Sequence, residues 1–116
     1  IAVLKALQDK DYTRLNADTT ELCRVIEDIL KRSGVRAVIN RAGSMFTVFF
    51  TGARVRDYAS ARSSDTKAYA RFFGAMLESG IYTAPSQFEA NFFSFAHTEQ
   101  DLKKSIMAAA SAARRV

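Results

Sequence analysis

Apolar residues along this chain recur with two different periods, in alternating blocks, and that alternation constrains the fold more than any other feature. Leu22, Val25, Ile26, Ile29 and Leu30 fall on one helical stripe. So do Tyr69, Phe72, Phe73, Met76 and Leu77, and again Leu102, Ile106, Ala109 and Ala113. Between them lie short runs rich in branched and aromatic residues: Val35 to Asn40, Met45 to Phe50, Ile81 to Ala84 and Asn91 to Ala96. The order predicts helix, strand, strand, helix, strand, strand, helix. Strands that arrive in adjacent pairs favour an α+β fold, with a small, mainly antiparallel sheet covered by helices.

Punctuation residues set the expected boundaries. Asp18, with Glu21 three residues on, reads as the capping box of the first long helix. Gly34 closes that helix, since glycine accepts a left-handed backbone, and Gly80 closes the next. Arg41 to Ser44 is the turn of a hairpin, and Thr51-Gly52 ends its second strand. Residues 53–63 predict a short irregular or helical piece around Tyr58. Asp65 and Thr98 are the remaining caps, Thr98 with Asp101 at the box position. Pro85 breaks the strand before it, because proline cannot donate to a central ladder.

The beginning of the chain carries its own pattern. Ile1, Leu4 and Leu7 recur at helical spacing with no capping residue before them, and no basic stretch leads into an apolar leader. The expectation is that residues 1–16 are the end of a truncated linking helix and residues 17–116 a small domain of a longer protein.

Composition removes several classes. The 116 residues are 48% apolar, enough to bury a core, so a disordered chain is excluded. No run of about 18 apolar residues lacks charge, as a membrane span requires. The single cysteine, Cys23, has no partner in the chain and lies within a helical pattern, which reads as a buried thiol. Lys and Arg total 17 against 12 Asp and Glu, but the tight pairs Lys31-Arg32, Lys103-Lys104 and Arg114-Arg115 sit at helix ends or on a helix face. No contiguous basic stripe of the kind that tracks nucleic acid is visible.

No self-sufficient catalytic constellation stands out. His97 is the only histidine, and it reads as a corner residue bonding backbone near Thr98. There is no glycine-rich phosphate loop and no nucleophile elbow. Glu89 is more informative, because Phe88, Ala90, Phe92 and Phe93 surround it. A carboxylate there is costly unless paired, solvated or used. It reads either as part of a binding-cleft wall or as a hairpin residue pointing to water.

At this segment the chain resembles a known family. Ala84-Pro85-Ser86-Gln87-Phe88-Glu89-Ala90, then Ser94 and Ala96-His97-Thr98, are similar to the C-terminal part of the glutamate-1-semialdehyde 2,1-aminomutases. Gly43-Ser44-Met45-Phe46, Phe49-Phe50, Phe72-Phe73, Met76-Leu77 and Gly80-Ile81-Tyr82 extend the likeness over nearly the whole chain. The first sixteen residues match least distinctively.

The resemblance implies a class-III aminotransferase of the fold-type-I pyridoxal-phosphate enzymes, a cytoplasmic homodimer with a large cofactor domain and a small C-terminal one. Such enzymes convert glutamate 1-semialdehyde to 5-aminolevulinate, a tetrapyrrole precursor. It also implies that Glu89 faces the cofactor and substrate, with Ser86 fixing its loop and Pro85 pinning it. None of Lys5, Lys10, Lys31, Lys67, Lys103 and Lys104 matches the family's Schiff-base lysine motif. The chain alone is therefore expected to be inactive, its partner being the large pyridoxal-phosphate domain, with no nucleic-acid or membrane partner.

A rival class is a free-standing basic α+β module for single-stranded nucleic acid. It would need aromatics on an open sheet face. Phe46, Val48 and Phe50 alternate on one face of their strand, and Met45, Thr47 and Phe49 on the other. Sequence alone leaves open which face is exposed.

Overall fold

Three long helices pack on one face of a three-stranded antiparallel sheet and a short one packs by Phe49 on the other, in a computed structural model that describes residues 1–116. The elements are α1 (Ala2–Gln8), α2 (Tyr12–Arg32), β1 (Val38–Ala42), β2 (Met45–Phe49), α3 (Tyr58–Arg62), α4 (Thr66–Glu78), β3 (Asn91–Phe92) and α5 (Glu99–Ala113). The expected α+β class, with its small antiparallel sheet, is what forms. No helix is long and apolar enough to cross a membrane.

The first long helix begins earlier than Asp18. Asp11 is its cap, accepting the Arg14 N–H at 2.9 Å. Thr19 and Leu15 carry the buried stripe one and two turns further back than Leu22, so the helix gains buried contact by starting at Tyr12. Asp18 lies within it, 3.8 Å from Arg14, and Glu21 bonds Arg24 instead of closing a box. The position between residues 16 and 17 is thus interior to α2.

Both glycine stops hold, by the same device. After α2 the Gly34 N–H reaches the Lys31 carbonyl and the Val35 N–H the Leu30 carbonyl. After α4 the Gly80 N–H reaches Leu77 and the Ile81 N–H reaches Met76. Gly34 has φ 74° and Gly80 φ 80°, the left-handed backbone this double bond pattern requires. The other expected caps form: Asp65 accepts the Lys67 and Ala68 N–H groups, and Thr98 and Asp101 cap α5 reciprocally. The piece around Tyr58 is α3, boxed by Asp57 and Ser60.

β1 and β2 form the expected hairpin, with Ala42 opposite Met45 around Gly43 and Ser44. β1 runs from Val38 to Ala42, three residues later than the branched run that starts at Val35. The remaining strands are shorter than expected. Residues 81–84 form no strand: the Ala84 N–H donates to Asn91 Oδ1 at 2.8 Å, and the Ala84 carbonyl accepts the Tyr69 hydroxyl at 2.5 Å. Side chains take the place of a ladder there. β3 is Asn91 and Phe92 only, because the chain turns at Ser94, whose N–H donates to His97 Nδ1 at 3.0 Å.

The core lies between the sheet and α2, α4 and α5. Leu30, Phe72 and Met76 are almost wholly buried, each worth about 1.5–3 kcal/mol over exposure. Ala109 and Ala112 are fully buried, and their lack of bulk lets α5 lie close to α2 and α4. Leu77, expected on the inner stripe of α4, is 48% exposed. Phe46, Val48 and Phe50 face this core. Phe49 packs instead with Val55 and Ala61 under α3.

Candidate functional site

The segment from Ala84 to His97 runs along the edge of β2 that β1 leaves free. A bare strand edge must find partners for its peptide groups. The Phe93 N–H donates to the Ser44 carbonyl at 2.9 Å. Asn91 Nδ2 donates to the Phe46 carbonyl at 3.4 Å, and Gln87 Nε2 to the Val48 carbonyl at 2.7 Å. The Phe50 N–H donates to Gln87 Oε1 at 3.2 Å. The Asn91 carboxamide thus reinforces β3 at its first residue, and the Gln87 carboxamide continues the edge beyond it.

Gln87 is only 3% exposed. Sequence reasoning passed over it in favour of its neighbour Glu89. The available signal was an amide flanked by Ser86 and Phe88 in an apolar stretch, a residue that burial obliges to use both its donor and its acceptor.

Ser86 to Glu89 fold into a tight turn. Ser86 Oγ accepts the Phe88 N–H at 3.2 Å, so the expected hydroxyl-to-backbone bond is present. Glu89 Oε2 accepts the Ser86 N–H at 3.2 Å, and the Glu89 N–H returns to the Ser86 carbonyl. The Glu89 side chain makes its half of a Ser-x-x-Glu box, while the Ser86 hydroxyl serves Phe88 and the Glu89 N–H closes the turn on the Ser86 carbonyl. Glu89 is exposed, and Thr47 Oγ1 ties its carbonyl to β2 at 3.1 Å.

Of the two readings of Glu89, the geometry gives a carboxylate on an outward-facing loop with one oxygen engaged by backbone. Beside it the sheet face is apolar: Met45 and Phe92, opposite each other in register, are 42% and 65% exposed, and Phe88 on the loop is 47% exposed. An exposed apolar floor with a carboxylate at its rim suits one wall of a cleft that another surface completes.

A partly open apolar pocket of about 100 Å³ lies elsewhere. It sits on the helix side of the sheet among Ile26, Phe46, Phe72, Met76 and Ile81, and neither Ser86 nor Glu89 lines it. Tyr69 reaches its wall; burial raises the phenol pKa and keeps it the donor to Ala84. His97 stacks on Phe93 with centroids 4.6 Å apart, and its Nδ1 accepts the Ser94 backbone N–H, so it is a corner residue bonding backbone four residues before Thr98.

The pyridoxal cofactor implied by the resemblance requires a desolvated lysine for covalent attachment. All six lysines are exposed, and none lines the pocket. The residues of this chain do not fit a covalent cofactor site.

Solved structures place the fold in a class. The chain superposes on the crystal structure of an ω-transaminase from Sphaerobacter thermophilus with TM-score 0.77 at 18% identity, covering 97% of this chain and 26% of that one. A transaminase with PLP bound matches with TM-score 0.75 at 20% identity, over 95% of this chain and 24% of the other. The fold is that of a segment of a transaminase.

Sequence relatives narrow the class. The chain is 50% identical over 115 residues to a glutamate-1-semialdehyde 2,1-aminomutase from Desulforamulus reducens, covering 98% of this chain and 27% of that protein. It is 45% identical over 112 residues to the one from Syntrophus aciditrophicus, covering 95% and 26%. The likeness read from the Pro85–His97 region therefore holds along almost the whole chain. The chain spans about a quarter of the length of these curated relatives. No family model matches it.

Proposed function

We propose that this chain is the C-terminal small domain of a PLP-dependent aminomutase converting glutamate 1-semialdehyde to 5-aminolevulinate, in a cytoplasmic homodimer. The observation that carries the reading is identity of 45–50% to such aminomutases over 95–98% of the chain. The cofactor supplies the amino-group chemistry when bound, and the lysine that holds it belongs to the large domain outside these residues. Residues 17–116 are the small domain, and the segment before them leads out of the large one.

Within that enzyme the chain walls the active site. Glu89 presents a carboxylate toward the amino groups of the reacting molecule and repels a misplaced substrate carboxylate, which favours one binding orientation. Ser86 holds the turn that carries it. Phe88, Met45 and Phe92 exclude water from the same surface when the large domain covers them. Without that domain the chain is inactive.

The test is reconstitution. A large domain expressed separately and mixed with this chain should form aminolevulinate from the semialdehyde, and neither piece alone should do so. Failure of the intact parent protein to form aminolevulinate would refute the assignment.

A further inference from the structure

The edge of β2 needs a partner for Val48 and Phe50, and a backbone strand would serve. The chain instead spends a buried glutamine there, whose two polar groups bond one carbonyl and one N–H two residues apart on the same side of the strand. A side chain that imitates a strand leaves its own backbone free to depart from the sheet. The Ser86–Glu89 turn does depart: its peptide groups bond one another, and apart from Gln87 the Thr47 hydroxyl is its tie to β2.

We propose that Gln87 is the positioning residue that fixes where Glu89 stands, by anchoring the turn to Val48 and Phe50 from the middle of its four residues. The inference rests on the proposed function, because it assigns Gln87 a role in the reaction Glu89 serves. Three features favour it over a role in stability alone. Gln87 lies two residues from Glu89, inside the same closed turn. Its carboxamide is buried and bidentate, so its orientation is set from both ends. The only other anchor, Thr47 to the Glu89 carbonyl, is a single hydroxyl on an exposed face and cannot fix rotation of the turn.

Gln87 touches neither substrate nor cofactor in this account. Its effect passes through the placement of the Glu89 carboxylate, and small displacements of a positioned group have large kinetic effects.

The experiment uses the full-length protein containing this chain, with glutamate 1-semialdehyde as substrate. Gln87→Met keeps the length and the apolar stem and removes both bonds. Gln87→Glu keeps the acceptor for Phe50 and loses the donor to Val48. Gln87→Met should lower kcat about tenfold while KM stays within about twofold, and Gln87→Glu, which sets a carboxylate oxygen against the Val48 carbonyl, should lower it at least as far. Combining either change with Glu89→Gln should lower kcat no further than the worse single variant, since both act through one carboxylate.

Independent, multiplicative losses, or an unchanged kcat in Gln87→Met, would overturn the proposal. If Gln87→Met does not fold, the same cycle with Gln87→Glu decides it by the same criterion. A parent protein that forms no aminolevulinate defeats the functional reading before any variant is compared, whereas an active parent with indifferent Gln87 variants defeats only the positioning role.

Discussion

Glu89 and Ser86 hold each other at both ends of a four-residue turn: the Glu89 carboxylate accepts the Ser86 N–H, and the Ser86 carbonyl accepts the Glu89 N–H, each at 3.2 Å. The turn therefore holds the carboxylate in one orientation. Its second oxygen makes no bond within the chain and remains available.

Removing the charge while keeping the turn separates the two roles. Glu89→Gln retains an oxygen acceptor for the Ser86 N–H, so the fold should persist by circular dichroism. Aminolevulinate turnover by the full-length protein should fall at least about tenfold if the charge acts on the reacting amino groups. Unchanged turnover and substrate affinity would take Glu89 out of the site.

Helix caps make a prediction about stability. Asp65 accepts two backbone N–H groups at the start of α4, at 3.0 and 2.9 Å. Asp65→Ala should cost about 1 kcal/mol, seen as a lower denaturant midpoint at unchanged slope. A midpoint equal to that of the parent would show that the cap contributes nothing net.

Acid should destabilise the chain in a defined direction. The Thr98 backbone N–H and then its hydroxyl hold the Asp101 carboxyl below its ordinary 3.8, and the Ser60 N–H and hydroxyl do the same for Asp57. The Arg115 guanidinium holds Glu78 below 4.5. A carboxyl with a lowered folded pKa gives stability that is complete above its unfolded value and is lost as pH falls through the folded one. The melting temperature should thus hold between about pH 6 and 5 and decline below about pH 4. Asp101→Asn should flatten part of that decline; an identical profile would contradict the linkage.

The buried thiol should be inert. Burial pushes the Cys23 pKa up to about 11. Alkylation at pH 8 should be slow in the native chain and fast in denaturant. Equal rates would mean that the α2 stripe opens readily.

Regular elements were legible in the sequence where the signal is local. A period of 3.6 with a capping aspartate or threonine found α4 and α5, and single glycines found the ends of α2 and α4. Asp18 misled because two aspartates compete upstream of the same stripe, and long-range burial of Leu15 and Thr19 decided for Asp11. The strands at 81–84 and 91–96 shrank because their hydrogen bonds go to Tyr69, Asn91 and His97, partners that strand periodicity does not encode. Glu89 was visible as a charge among aromatics. Gln87 was not, because its importance lies in two peptide groups 37 and 39 residues away.

As proposed, these residues form one wall of an aminomutase whose cofactor lysine lies in the rest of the polypeptide. That role is tested most directly by measuring aminolevulinate formed from glutamate 1-semialdehyde and pyridoxal phosphate by this chain alone and by the chain with its large domain. Product is expected only from the combination. Product from the chain alone, or none from the combination, would contradict it.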